Sequence, residues 1–183
     1  MGYYIRKAQV HLAAVERYKN EIFDQVAKDT YISWERVSAG ATLKEALRLG
    51  DSLAAQVGNK DDRGVSRDRI LAHFLFATLS TQLEDSKAAA EHLQAAHALL
   101  DALVQAGPYS AAQLMDWMGL PNLDAAVGDR AAAGGDKKGA REWYQKALAL
   151  QTQLVARRPG DKTREEGLEQ IKKRLKETAP NNP

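Results

Sequence analysis

Cysteine is absent from the 183 residues. That excludes a disulfide scaffold, a thiolate zinc site and a cysteine nucleophile. It leaves the redox compartment open. Proline is scarce, with five residues of which Pro108 is the first. An all-β chain would need more turn breakers and more β-branched residues, so that class is disfavoured. Histidine is nearly as scarce: His11, His73, His92 and His97. His92 and His97 are five apart and do not share a helix face, and no His-Glu-x-x-His run exists, so no metal site is expected. The chain also lacks Gly-x-Ser-x-Gly, a phosphate-binding Gly-x-x-x-x-Gly-Lys and a dinucleotide Gly-x-Gly-x-x-Gly. Its carboxylates are scattered along polar faces without an inward pair. No catalytic, cofactor-binding or metal-ligating residue is therefore assigned. No run of about 18 apolar residues is present, so no transmembrane segment is expected. The entry into helical pattern at Gly2-Tyr3-Tyr4-Ile5 is abrupt, which leaves room for a removed signal or anchor ahead of it. The compartment, cytoplasmic or periplasmic, stays open for a chain read as soluble.

What is abundant is alanine, at 31 residues, and leucine, at 21. Both are strong helix formers. With 44% hydrophobic and 27% charged residues, the expectation is an all-α chain of roughly one domain. Net charge is +2. The stretch from Asp136 to Pro183 holds 12 Lys+Arg against 7 Asp+Glu, and the remainder 14 against 17. Acids interleave with the bases in the basic stretch. We read it as a solvated helix face, with no nucleic-acid partner expected.

Periodicity places the helices. Ile5, Ala8, Leu12, Val15, Ile22 and Val26 form one stripe over about Tyr3 to Lys28. Asp29-Thr30 offers a boundary. A short helix from Ile32 to Ala39 is centred on Trp34 and Val37, and Gly40 ends it. Thr42 and Glu45 have capping-box spacing ahead of Leu43, Ala46, Leu47, Gly50, Leu53, Ala54 and Val57. The polar stretch Gly58 to Gly64 reads as a loop. Ser66 caps a helix over about Arg67 to Gln82. Asp85-Ser86 opens the next, to about Gln105. A short helix over Ser110 to Met118 carries Met115, Trp117 and Met118. Asn122 caps a helix to Ala133, Asp136 caps one to about Ala156, and Pro159-Gly160-Asp161 precedes the last, Lys162 to Glu177.

An internal plan recurs: helix, acidic turn, helix. It is clearest from Leu123 to Leu150, where Gly128, Ala140, Tyr144 and Ala147 follow a small, small, large, small order around Gly135-Asp136. Small residues let two antiparallel helices approach closely. This unit resembles a tetratricopeptide repeat, whose turn and second helix are similar to Gly135 through Leu148. The family's tryptophan-like position is Asp124 here, and the closing proline comes late, at Pro159. A second unit aligns Ala77, Ala89, Leu93 and Ala96, with Asp85 at the Asp136 position. A third candidate starts its second helix at Ala46, with Gly50 and Leu53 following and Trp34 at the small position. The spacings of 43 and 51 residues exceed the family's period of about 34.

The resemblance implies antiparallel hairpins stacked as a superhelical array of about seven to nine helices. It spans one domain over residues 1–178, with best repeats 67–105 and 122–158, a capping helix over 161–178 and a frayed tail after it. It further implies a non-catalytic protein-binding scaffold or adaptor, a type common in bacterial regulatory proteins. Its groove would be lined by Leu71, Phe74, Thr78 and Thr81 in one unit and Asn122, Ala125, Asp129 and Ala132 in the other. Such a groove, apolar with Asp129 acidic, would suit a protein or peptide partner with basic flanks. The alternatives are a helical oligomerisation or membrane-tethered assembly subunit, motivated by the Ile5 to Val26 stripe, and an all-α enzyme built from residues distant in sequence.

Overall fold

Every described residue of the computed structural model lies in a helix or next to one; the structure describes residues 1–21, 25–56, 63–105 and 120–179. Seven helices are present among them: α1 (Gly2–Glu21), α2 (Gln25–Gln56), α3 (Arg63–Gln82), α4 (Ser86–Gln105), α5 (Leu120–Ala133), α6 (Lys137–Arg157) and α7 (Lys162–Glu177). The all-α expectation holds, and neighbouring helices pack in pairs. The chain gathers into two compact units, Met1–Ala106 and Gly107–Pro183. In the first, α1 packs on α2, α2 on α3 and α3 on α4; in the second, α6 packs on both α5 and α7. The helix expected over Ser110 to Met118, with its Trp117 cluster, lies outside the described residues.

The largest departure from the sequence reading is α2. Neither Asp29-Thr30 nor Gly40 breaks it, and it runs 32 residues without interruption. An interior glycine costs a helix about 1 kcal/mol relative to alanine. Here a single inward stripe continues across it, through Ile32, Glu35, Ala39, Leu43 and Ala46, all buried. Burying these apolar side chains outweighs one glycine. Thr42 does not cap: its hydroxyl donates to the Ser38 carbonyl at 2.7 Å, one turn back. Glu45 is held by Arg48, with N–O distances of 2.8 and 2.7 Å. Ala46 is thus mid-helix, not at a helix start. Trp34 and Val37, expected at the centre of a short helix, face outward at 60% and 69% exposure. Their apolar character suggested an inward face, whereas the buried face recruits Glu35. Two expected caps also move inside helices, Ser66 in α3 and Asn122 in α5.

The stripe of α1 is placed as expected, with Ile5, Ala8, Leu12 and Val15 buried; so are Ala89, Leu93, Ala96, Leu100 and Leu103 of α4. Ala77 of α3 is fully buried with them.

The three interhelix turns among the described residues share one construction. A left-handed residue is followed by an aspartate: Glu84-Asp85, Gly135-Asp136 and Gly160-Asp161, with φ of 61°, 85° and 84°. Each aspartate Oδ1 accepts a backbone N–H three residues on, from Ala88 at 2.9 Å, Gly139 at 2.8 Å and Arg164 at 3.3 Å. Orphan amides at the next helix start are satisfied in this way. The first two turns match further. Asp85 N donates to Ser80 O at 2.9 Å and Asp136 N to Ala131 O at 2.9 Å; Glu84 N donates to Thr81 O and Gly135 N to Ala132 O. Glycine tolerates the left-handed conformation, but glutamate is strained by it.

In the second unit Gly128 meets the buried ring of Tyr144. A Cβ at Gly128 would lie 2.6 Å from Tyr144 Cε1 and 3.2 Å from the Ala140 carbonyl oxygen. Ala125, Ala140, Tyr144 and Ala147 share a cluster with Ile171 of α7.

Two substitutions test this packing. Gly128→Ala improves helix propensity, yet the close approach should make it destabilising by roughly 1–3 kcal/mol in urea unfolding. A more stable variant would show that α5 and α6 do not meet there. Glu84→Gly relieves the left-handed strain and should raise stability by about 1 kcal/mol. A lower melting temperature would contradict the turn geometry.

Candidate docking groove

Helix α2 is longer than α3, and the two run antiparallel. An added Cβ at Gly50 would sit near Arg69, and one at Gly40 would sit 3.5 Å from Leu79 Cδ2. Along one flank of this pair the first unit opens a groove of about 700 Å³. That is within the range of roughly 300–1,000 Å³ usual for binding sites. Asp29, Ile32, Ser33, Arg36, Val37, Gly40, Ala41 and Lys44 of α2 form one wall. They recur at three- and four-residue steps, which keeps them on one side of the helix. Phe76, Leu79 and Ser80 of α3, with Leu83 just beyond it, form the other. Ile32, Phe76 and Leu79 are buried and make an apolar floor, while Val37 and Leu83 stand exposed on the rim.

Two cations, Arg36 and Lys44, and one carboxylate, Asp29, are among the described residues of this groove. Asp29 accepts a hydrogen bond from Gln25 at 2.7 Å. Among the described residues Arg36 and Lys44 have no ion-pair partner, and Arg36 Nε is buried without a hydrogen bond. A buried charged donor left unmet is costly.

The groove residues expected from sequence fall elsewhere. Leu71 is buried, and Phe74, Thr78 and Thr81 are half-buried. At 100° per residue they lie across α3 from the Phe76–Leu83 wall. Thr78 donates to the Phe74 carbonyl at 3.0 Å. In the second unit Ala125 is in the core beside Ile171. Asp129 Oδ1 accepts from the Tyr144 hydroxyl at 2.8 Å and pairs with Arg174 Nε at 3.0 Å. Burial and this hydrogen bond push the Tyr144 phenol above its usual range. The last helix thus occupies the face that the repeat reading leaves open. Asn122 is exposed and lines a smaller cleft of about 350 Å³ with Gln151, Arg164 and Gly167.

Two polar clusters were not legible in the sequence. His11 of α1 contacts Glu35, which is buried in the α2 stripe, and Trp34 packs edge-on against His11 at 5.9 Å between ring centroids. His73 of α3 and His92 of α4 place their Nδ1 atoms 3.0 Å apart. Phe76 stacks on His92 at 4.4 Å. Two neutral imidazoles in contact share one proton as an N–H···N bond, but charging either brings a cation into a partly buried pair. Burial first, then His92 and Arg69, hold His73 down at about 4, against an opposing effect of Asp51. Burial lowers His92 as well, against Glu91. Among the described residues no set of three or more His, Asp or Glu side chains is placed to hold a metal ion.

The histidine pair makes a pH prediction. Both groups are easier to protonate in the unfolded chain than in the fold. Stability from the neutral pair is therefore complete above about pH 6.5 and is lost as pH falls toward 4. Thermal melts at pH 7 and pH 5 should show a fall in melting temperature that shrinks in His73→Gln. An equal fall in both proteins would contradict the pairing.

Compared with protein-family models, with curated proteins and with solved structures, the chain matches none.

Proposed function

We propose that the chain is a non-catalytic protein-binding module, a tetratricopeptide-like helical scaffold or adaptor, that seats a helix of a partner protein between α2 and α3. The observation that carries the reading is the groove itself: about 700 Å³, with an apolar floor and an exposed apolar rim at Val37 and Leu83. Contiguous apolar surface framed by polar residues is the signature of a docking site. The repeat reading draws support from the turns, because Asp85 and Asp136 cap their helices alike 51 residues apart, at the offset that aligns Ala89 with Ala140. No helix among the described residues is long and apolar enough to cross a membrane.

A second reading, self-association, is favoured by a different surface. Tyr31 and Trp34 are 51% and 60% exposed on α2, and Tyr3 and Val10 are exposed on α1. Aromatic residues of this kind are enriched at interfaces.

Affinity capture from the native cell, with wild-type protein and with the Val37→Glu/Leu83→Glu double variant, separates these readings. Both sites are exposed, so the variant should keep the wild-type melting curve. A partner retained by wild type and lost by the folded variant is expected. Equal capture by both would overturn the groove reading. A mass that rises with concentration in light scattering would favour self-association.

A further inference from the structure

Resting on that reading, we infer that the occupant of the α2–α3 groove is an amphipathic helix whose polar edge is acidic, with carboxylates read by Arg36 and Lys44. The shape argument concerns the middle of the groove. Ser33, Gly40 and Ala41 on α2 and Ser80 on α3 are small and sit between the larger Arg36, Val37, Leu79 and Leu83. Small residues in a helix-to-helix seam let a third backbone approach to the usual 8–10 Å, with its ridges between the flanking side chains. The lined face runs from Asp29 to Lys44, about 22 Å along the axis at 1.5 Å per residue. That matches a partner helix of about four turns.

The charge argument concerns what such a helix must carry. Arg36 and Lys44 are two turns apart on the same wall and have no carboxylate among the described residues. Arg36 Nε is out of contact with water and makes no hydrogen bond. A carboxylate delivered into the groove can form a charge-assisted pair with the accessible part of the Arg36 guanidinium or with the exposed Lys44 ammonium, stronger where the helix excludes water. Among the described lining residues the only carboxylate, Asp29, is at one end of the groove and already accepts from Gln25. A lysine-edged helix would instead bring like charge to Arg36 and Lys44.

Three synthetic amphipathic peptides test this, sharing one leucine stripe and flanking it with glutamate, glutamine or lysine. Binding to the full chain is read by fluorescence anisotropy. The glutamate peptide should bind about tenfold more tightly than the glutamine peptide, and the lysine peptide more weakly than both. Arg36→Gln/Lys44→Gln should remove the glutamate preference while leaving glutamine-peptide affinity within about twofold. Val37→Glu/Leu83→Glu should weaken all three. Equal binding of the three peptides, or preference for lysine, overturns the acidic assignment and leaves the groove reading standing. Binding that survives Val37→Glu/Leu83→Glu, or no binding of any peptide, overturns the groove reading together with it. A dimer that forms without peptide and is abolished by Val37→Glu assigns the groove to a second copy and also overturns the inference.

Discussion

The first unit depends on a mismatch of length. Helix α2 has 32 residues, and the helices on either side of it, α1 and α3, have 20 each. At 1.5 Å per residue α2 is about 18 Å longer than either. A helix this long extends beyond the end of a 20-residue neighbour. Helix α1 runs along α2 from Gly50, beside Met1, through His11–Glu35 to Tyr18–Tyr31. Helix α3 meets the later part at Gly40 and Gly50. Where α3 runs out at Gln82, the α2 flank from Asp29 to Val37 keeps its apolar side chains without a full-length neighbour. The groove opens along this flank, between α2 and the end of α3.

The second unit solves the same problem differently. Its last helix brings Ile171 and Arg174 onto α5 and α6. An apolar cluster and a carboxylate, which would be open in an array that continued, are closed off. Asp129 is paired with Arg174 and bonded to Tyr144, so its charge serves the packing of three helices. The first unit keeps an open flank, and in the second the last helix closes one off.

How much of this was legible in the sequence follows from range. Local signals read well. Asp136 declares its cap and Asp85-Ser86 a break with a new one, because capping needs only a side chain and an amide three residues on; Asp161 was legible only as part of the Pro159-Gly160-Asp161 break. The stripe of α1 and the small residues Gly128, Ala140 and Ala147 were visible as periodicity. Gly40 and Thr42 misled, because their local preference for a break is worth about 1 kcal/mol and tertiary burial along the Ile32 to Ala46 stripe outweighs it. Glu35 and the His73–His92 pair were invisible for a related reason: their partners lie 24 and 19 residues away. The groove residues expected on α3, Leu71, Phe74, Thr78 and Thr81, lie across that helix from the Phe76–Leu83 wall, a difference of face that only the tertiary packing reveals.

The central claim is that the α2–α3 flank is a docking surface for an acidic helix. Methyl-resolved NMR of the full chain, titrated with the glutamate-edged peptide, tests it most directly. Saturable shifts at Ile32, Val37, Leu79 and Leu83, with Ile171 and Leu154 of the second unit unmoved, are the predicted result. Shifts centred on the second unit, or scattered over both units without saturation, would contradict it.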